Sequence, residues 1–178
     1  QLEHPGVVPV YALGTDAAGR PYYAMKLVHG RTLRKAIDAH YESPGPAGLR
    51  ELLRRFVMVC RTIAYAHARG IIHRNLKPES ILLGEFRETL VLDWGRAQPV
   101  TETERLDPAS DIYSLGAVLY EVLTGRAASG GESSTATLEH VRASPPAKPA
   151  RVRRSVPQPL EAICLKAMAC APDECYAT

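Results

Sequence analysis

An α+β fold, mainly α, is predicted for this chain, and three observations predict it. Apolar residues recur at helical spacing through two long segments, 49–67 and 110–124. Two Val-, Tyr- and Leu-rich runs, Val7–Gly14 and Pro21–Val28, flank the Gly-containing stretch Asp16–Gly19. Two short apolar runs, Ile81–Leu83 and Leu90–Leu92, are separated by Gly84–Glu88. The 178 residues are 46% hydrophobic and 23% charged, which suits one globular domain and argues against wholesale disorder.

Taken in order, the runs at 7–14 and 21–28 read as an antiparallel hairpin. Leu33–His40 follows as a short helix with Thr32 as its N-cap. Ser43-Pro44-Gly45-Pro46 breaks the chain. Leu49, Leu52, Leu53, Phe56, Cys60, Ile63, Ala64 and His67 then line one face of a long amphipathic helix, with Gly70 as its C′ stop. Arg50, Arg54, Arg55 and Arg61 fall largely elsewhere and read as a solvated face. The runs at 81–83 and 90–92 fit short strands in a loop-rich region. Ser110–Thr124 is apolar nearly all round, so it belongs in a core, and Gly125 ends it. Residues 126–159 are rich in Ser, Gly and Pro, with a weak helical stretch at Thr137–Arg142 and a basic, Pro-containing run at Lys148–Arg154 that reads as solvated loop. Leu160–Met168 resumes a helix. No internal repeat is present.

Composition narrows the function. A net charge of +3, from 22 basic and 19 acidic residues, identifies neither a nucleic-acid nor a membrane binder. No apolar run approaches the ~18 residues that span a bilayer. The start, Gln1-Leu2-Glu3-His4-Pro5, has neither an initiator Met nor a signal pattern and reads as the middle of a longer arrangement. Cys60, Cys164, Cys170 and Cys175 form no C-x-x-C pair, which speaks for reduced thiols and a cytoplasmic location.

The chemistry-bearing residues sit in three places. His73-Arg74-Asn75-Leu76-Lys77-Pro78-Glu79-Ser80 lies between a helix stop and a short strand. Asp93-Trp94-Gly95 follows the next strand, and Asp111 opens the buried helix. Each alone is weak; a lone Asp-x-Gly marks countless turns. If they do no chemistry, His73 is a core histidine, Asp93 a turn residue and Trp94 core packing.

Together, in this order, the motifs resemble the eukaryotic-type Ser/Thr protein kinase domain, particularly its bacterial members, where Asp-Trp-Gly often stands for Asp-Phe-Gly. The resemblance covers nearly the whole chain, including His4–Val8 and Leu160–Met168. It implies a kinase-like large lobe over 29–178 and a remnant hairpin and hinge of the small lobe over 1–28. It also implies ATP, Mg²⁺, phosphoryl transfer to protein Ser/Thr, and a protein as substrate or partner. The family's H-R-D-L-x-x-x-N loop uses its Asp as base and its Asn as a Mg²⁺ ligand. Here those positions are Asn75 and Ser80. A neutral amide orients a hydroxyl but cannot take its proton. Lys77 matches the γ-phosphate lysine, Asp93 the Mg²⁺ aspartate, and Asp111 the aspartate that holds the loop backbone. Met25 falls at the gatekeeper, Lys26, Leu27 and Val28 at the hinge that meets adenine, and Leu82 beneath the adenine ring.

Several family parts have no counterpart. The Gly-rich loop, the strand lysine and the helix Glu that pairs with it would precede Gln1. Only 15 residues separate Gly95 from Asp111, without Ala-Pro-Glu, so the activation segment is short. Cys175 stands where the family has the Arg that pairs with that Glu. The expectation is an inactive fragment or pseudokinase, the alternatives being the large-lobe portion of an active Ser/Thr kinase whose ATP-binding lobe lies in a longer parent chain, or a non-catalytic interaction module; ATP binding is expected weak or absent and the hairpin edge open to self-association.

Overall fold

The computed structural model describes residues 2–45, 48–99, 108–128, 146–169 and 175–176. The stretch at Thr137–Arg142 and Cys170 lie outside them. The chain begins with the hairpin β1 (Val10–Thr15) and β2 (Pro21–Met25), paired from Val10 opposite Met25 to Thr15 opposite Pro21. Asp16 builds its turn: Oδ1 accepts the Ala18 and Arg20 N–H groups, both at 2.9 Å. β-favouring Val, Tyr and Leu residues make the ladder. It buries neither face: every β2 residue is exposed, and in β1 only Gly14 is not.

Residues before the hairpin behave differently from the expected strand. Val7 and Val8 are buried, and Val7 bridges Val91 in parallel. Gly6 makes this possible, because a Cβ there would lie 1.9 Å from Thr62 Oγ1. The hairpin therefore starts at Val10, and the segment ahead of it belongs with the core.

β3 (Gly30–Thr32) follows and was not foreseen; it pairs with β5 (Ile81–Gly84), which pairs with β6 (Thr89–Val91). Three residues are too few to show alternation. Thr32 then caps α1 (Leu33–Glu42), its Oγ1 accepting the Lys35 N–H at 3.3 Å. The 20-residue α2 (Gly48–His67) buries Leu52, Val59, Thr62, Ile63 and Ala66, so the buried face is turned from the expected one: Leu52 and Ile63 are shared, Leu49, Leu53, Phe56, Cys60 and His67 are half-buried, and Ala64 is exposed. Gly70 takes the left-handed φ of +68° expected of a stop, three residues beyond the last helical residue. β4 (Ile71–Ile72) pairs with β7 (Gln98–Pro99), again too short to announce itself.

α3 (Ala109–Thr124) is the axis of the core, with Ile112, Leu115, Val118, Leu119, Val122 and Leu123 buried and Gly125 closing it at φ +76°. The basic run is not solvated loop throughout: it forms α4 (Pro149–Val152), with Pro149 buried and the Arg153 guanidinium 4.3 Å from the centre of the Tyr41 ring. α5 (Gln158–Ala167) packs on α3 through Cys164 and Ala167. Five helices and three small antiparallel sheets make the α+β, mainly α fold among the described residues. One apolar cluster joins α1, α2, β5, β6 and α3; a second joins the far end of α3 to α5.

Candidate active site

The loop 73–80 runs between β4 and β5 and hangs from one carboxylate. Asp111, fully buried in the first turn of α3, accepts the His73 N–H on Oδ2 and the Arg74 N–H on Oδ1, both at 2.8 Å. His67, at the end of α2, meets the same Oδ2 through Nε2 at 2.8 Å. A carboxylate only accepts, so the His67 proton on that side sits on Nε2. Burial alone would raise the Asp111 pKa; the hydrogen bonds from the His67 ring and the His73 and Arg74 amides outweigh it and hold the carboxyl below its ordinary range. Arg74 adopts φ +68°, a backbone state that the paired amide bonds to Asp111 hold in place.

His73 carries the second set of ties. Its ring is fully buried, Nδ1 accepting the Asn75 N–H at 3.3 Å and Nε2 donating to the Leu92 carbonyl at 2.7 Å. Those partners select one neutral tautomer. Burial pushes its pKa down, against the opposing pull of the Leu92 carbonyl and of Asp111 and Asp93. Trp94 stands edge-on to the ring with centroids 4.7 Å apart and donates from Nε1 to the Val91 carbonyl at 2.9 Å. His73 and Trp94 are thus packing groups, and between them they clamp the turn that carries Asp93. Asp93 itself is exposed, with a left-handed φ of +62°.

Ser80 is fully buried. Its hydroxyl lies 2.9 Å from the Lys77 carbonyl and 3.4 Å from that of Asn75, and it accepts the Lys77 N–H at 3.1 Å. Its own carbonyl accepts the Leu92 N–H at 2.8 Å. Ser80 thereby fastens the loop to itself and to the strand that leads to Asp93. Asn75 and Lys77 are half-buried in the same loop.

The positions that the resemblance assigns to the nucleotide are less closely tied. Met25 ends β2 at 44% exposure, and Lys26 is exposed, its N–H donating to the Pro9 carbonyl at 2.9 Å. Val28 is half-buried. Leu82 points away from the buried Ile81 and Leu83 and stands opposite Thr32 in β3 and Leu90 in β6. No hydrogen bond among the described residues joins Met25–Val28 to the loop 73–80. The structure brings Asn75, Lys77, Ser80 and Asp93 into one stitched unit and leaves the hinge residues on its exposed flank.

The donor set is poor for Mg²⁺, which takes one or two carboxylates with phosphate and water oxygens in octahedral array. Asp93 offers one exposed carboxylate, and the Ser80 hydroxyl is occupied within the loop. No group of three or more His, Cys, Asp or Glu side chains suited to a metal occurs among the described residues. Among the described residues, those present do not complete such a site.

Two ties escaped sequence reasoning. His67 was placed on the apolar face of α2, and nothing in its spacing marks it as the partner of a residue 44 positions away. Arg34 on α1 pairs with Glu121 on α3, both largely buried, and Asp38 lies 3.0 Å from the same guanidinium. Burial raises the Glu121 pKa, against the pull of Arg34.

Comparison with known proteins fits this geometry. The Protein kinase domain family matches residues 1–107. Serine/threonine-protein kinase PknB of Mycolicibacterium smegmatis is 34% identical over 205 aligned positions, covering 99% of this chain and 32% of that protein. Serine/threonine-protein kinase PrkC of Bacillus subtilis is 36% identical over 200 positions, covering 99% of the chain and 30% of the relative. PknD of Protochlamydia amoebophila is 33% identical over 171 positions, 70% of the chain and 17% of the relative. The chain therefore spans about a third or less of the length of these relatives. With its loop hung from Asp111 and its Asp-Trp-Gly turn clamped on His73, this chain belongs to the protein kinase domain family and is similar to bacterial Ser/Thr kinases.

Proposed function

We propose that this chain is a pseudokinase-like large lobe, which keeps the kinase loop architecture without transferring phosphate and acts through protein contacts. The observation that carries this reading is Asn75 in the base position of a loop whose Ser80 hydroxyl is committed to backbone. Phosphoryl transfer rests on positioning and electrostatics, and here the base is an amide and the metal set is one carboxylate. Only 15 residues separate Gly95 from Asp111, without Ala-Pro-Glu, which supports a shortened activation segment. Mg·ATP, which the family uses, binds no tighter than ~1 mM in this reading, about 4 kcal/mol. Met25, Lys26, Val28, Leu82, Lys77 and Asp93 build only a floor and one wall, and ligand sites bury ~70% or more of a ligand.

The exposed hairpin supports the interaction role. Tyr11 (69%), Leu13 (81%) and Leu27 (79%) present apolar surface with an unpaired strand edge on either side. The occupant is a second copy of the chain or a protein partner that extends the sheet. Free Cys60, Cys164 and Cys175 accord with a cytoplasmic setting. No helix among the described residues is long and apolar enough to cross a membrane.

The deciding experiment pairs isothermal calorimetry with a transfer assay on the purified chain. Mg·ATP gives no saturable heat below ~1 mM, and no phosphate reaches generic Ser/Thr substrates. Low-micromolar binding, or transfer that Asp93→Ala abolishes, overturns the reading.

A further inference from the structure

A cavity of about 230 Å³ lies between α2, α3 and α5. Its floor is apolar: Ile63 of α2 and Leu115 and Leu119 of α3 are 1%, 7% and 2% exposed. Its mouth is apolar too, formed by Ala64, which is exposed on α2, and Ile163, 43% exposed on α5. Tyr176 closes one end, its ring held by the Lys166 ammonium 4.7 Å from its centre. The one imidazole in the wall, His67, has its Nε2–H committed to Asp111. A charged or multiply polar ligand would therefore lose its hydration and gain few partners here.

Size narrows the class further. An apolar cavity of ~150 Å³ stays dry and takes up benzene, because water finds no partners in it. A void of about 230 Å³ lined in the same way has room for a second fused ring but not for an average drug-sized molecule. We propose that this cavity is a binding site for a compact, uncharged bicyclic aromatic ligand. The site is separate from the nucleotide positions: of its wall, only His67 and Ile112 adjoin the Asp111 anchor. Its test is correspondingly independent of whether the chain binds ATP.

The test uses the whole chain with indole as the probe, followed by ¹H–¹⁵N NMR and thermal melting. The expected result is saturable shifts at Ile63, Ala64, Leu115 and Ile163 with a Kd at or below ~1 mM. Melting should rise by about 3–5 °C at ten times that Kd. Ala64→Leu narrows the mouth at an exposed position and Cys60→Leu fills the wall from the half-buried side; a folded variant of either kind should lose the shifts. The proposal is overturned if indole produces no saturable shift up to ~10 mM, if the shifts fall on the exposed hairpin, or if both folded variants bind as well as the parent chain.

Discussion

Two aspartates do the same local job in two regions of the molecule, with opposite consequences. Asp16 gathers the Ala18 and Arg20 amides at the hairpin turn, and Asp111 gathers the His73 and Arg74 amides of the 73–80 loop. Both carboxyls are held below their ordinary range. For Asp16 the causes are the Arg20 amide and guanidinium; for Asp111 the His67 ring and two amides overcome burial. Asp16 organises a turn in water, which could satisfy the same groups. Asp111 organises a loop from a fully buried carboxylate, and the His73 amide it holds is shut away from water. The energetic value of a hydrogen-bonding group is set by what replaces it when it is lost, and burial decides that.

The sharpest way to break this comparison is to remove each carboxylate. Asp111→Ala removes the shared acceptor of the His67 ring and of the His73 and Arg74 amides from a buried site and should lower unfolding free energy by about 3–5 kcal/mol in urea titrations. Asp16→Ala should leave the melting temperature essentially unchanged while loosening the turn, read as faster exchange of the Ala18 and Arg20 amides. Equal destabilisation by both would defeat the argument.

Apolar side chains extend the contrast. Ile63→Ala, at 1% exposure, should cost about 2–5 kcal/mol, whereas Leu13→Ala, at 81%, should stay within ~0.5 kcal/mol. A large loss from Leu13→Ala that grows with protein concentration would instead show that the hairpin face is covered by a second copy.

Acid sharpens the picture at the loop. His73 is held neutral, so the unfolded chain binds its proton more readily than the folded one. Its contribution is complete above the unfolded value of about 6.5 and is lost as pH falls toward the lower folded value, at up to ~1.4 kcal/mol per pH unit. Asp111 acts in the same direction only in stronger acid: present above the unfolded ~3.9, lost as pH falls through its depressed folded value. Melting of the parent chain should therefore decline below about pH 6.5 more steeply than melting of His73→Gln. Parallel pH profiles would remove His73 from this role.

A loss smaller than those at Asp111 and Ile63 is expected at the α1 cap. Thr32→Ala removes the acceptor of the Lys35 N–H and should cost about 1 kcal/mol.

What was legible in the sequence was whatever repeats or punctuates. α2 and α3 declared themselves through apolar spacing over 20 and 16 residues, and Thr32 and Gly125 marked the start of α1 and the end of α3. The runs at 81–83 and 90–92 showed as strands, and the order of the His73, Asp93 and Asp111 motifs pointed to the family. β3, β4 and β7, of two or three residues each, carry no period to read. The run Lys148–Arg154 looked solvated on charge alone, but the long Arg153 side chain lies over the Tyr41 ring.

The sequence by itself determined the long helices, their ends and the hairpin turn, because 3.6-residue periodicity, caps and turn residues act over neighbours along the chain. Only the tertiary structure decided which polar groups became anchors. His67 and Asp111 are 44 residues apart, Arg34 and Glu121 are 87, and His73 meets the Leu92 carbonyl across 19. Each of those residues taken alone is an ordinary polar residue on or beside a helix or strand. It acquires its weight when folding removes water and leaves one distant partner within reach. The same rule explains the two valine-bearing stretches at the N-terminal end. Val7 and Val8 are buried because Gly6 lets the backbone reach Thr62, while Val10 and its hairpin, with the stronger β pattern, stay in solvent.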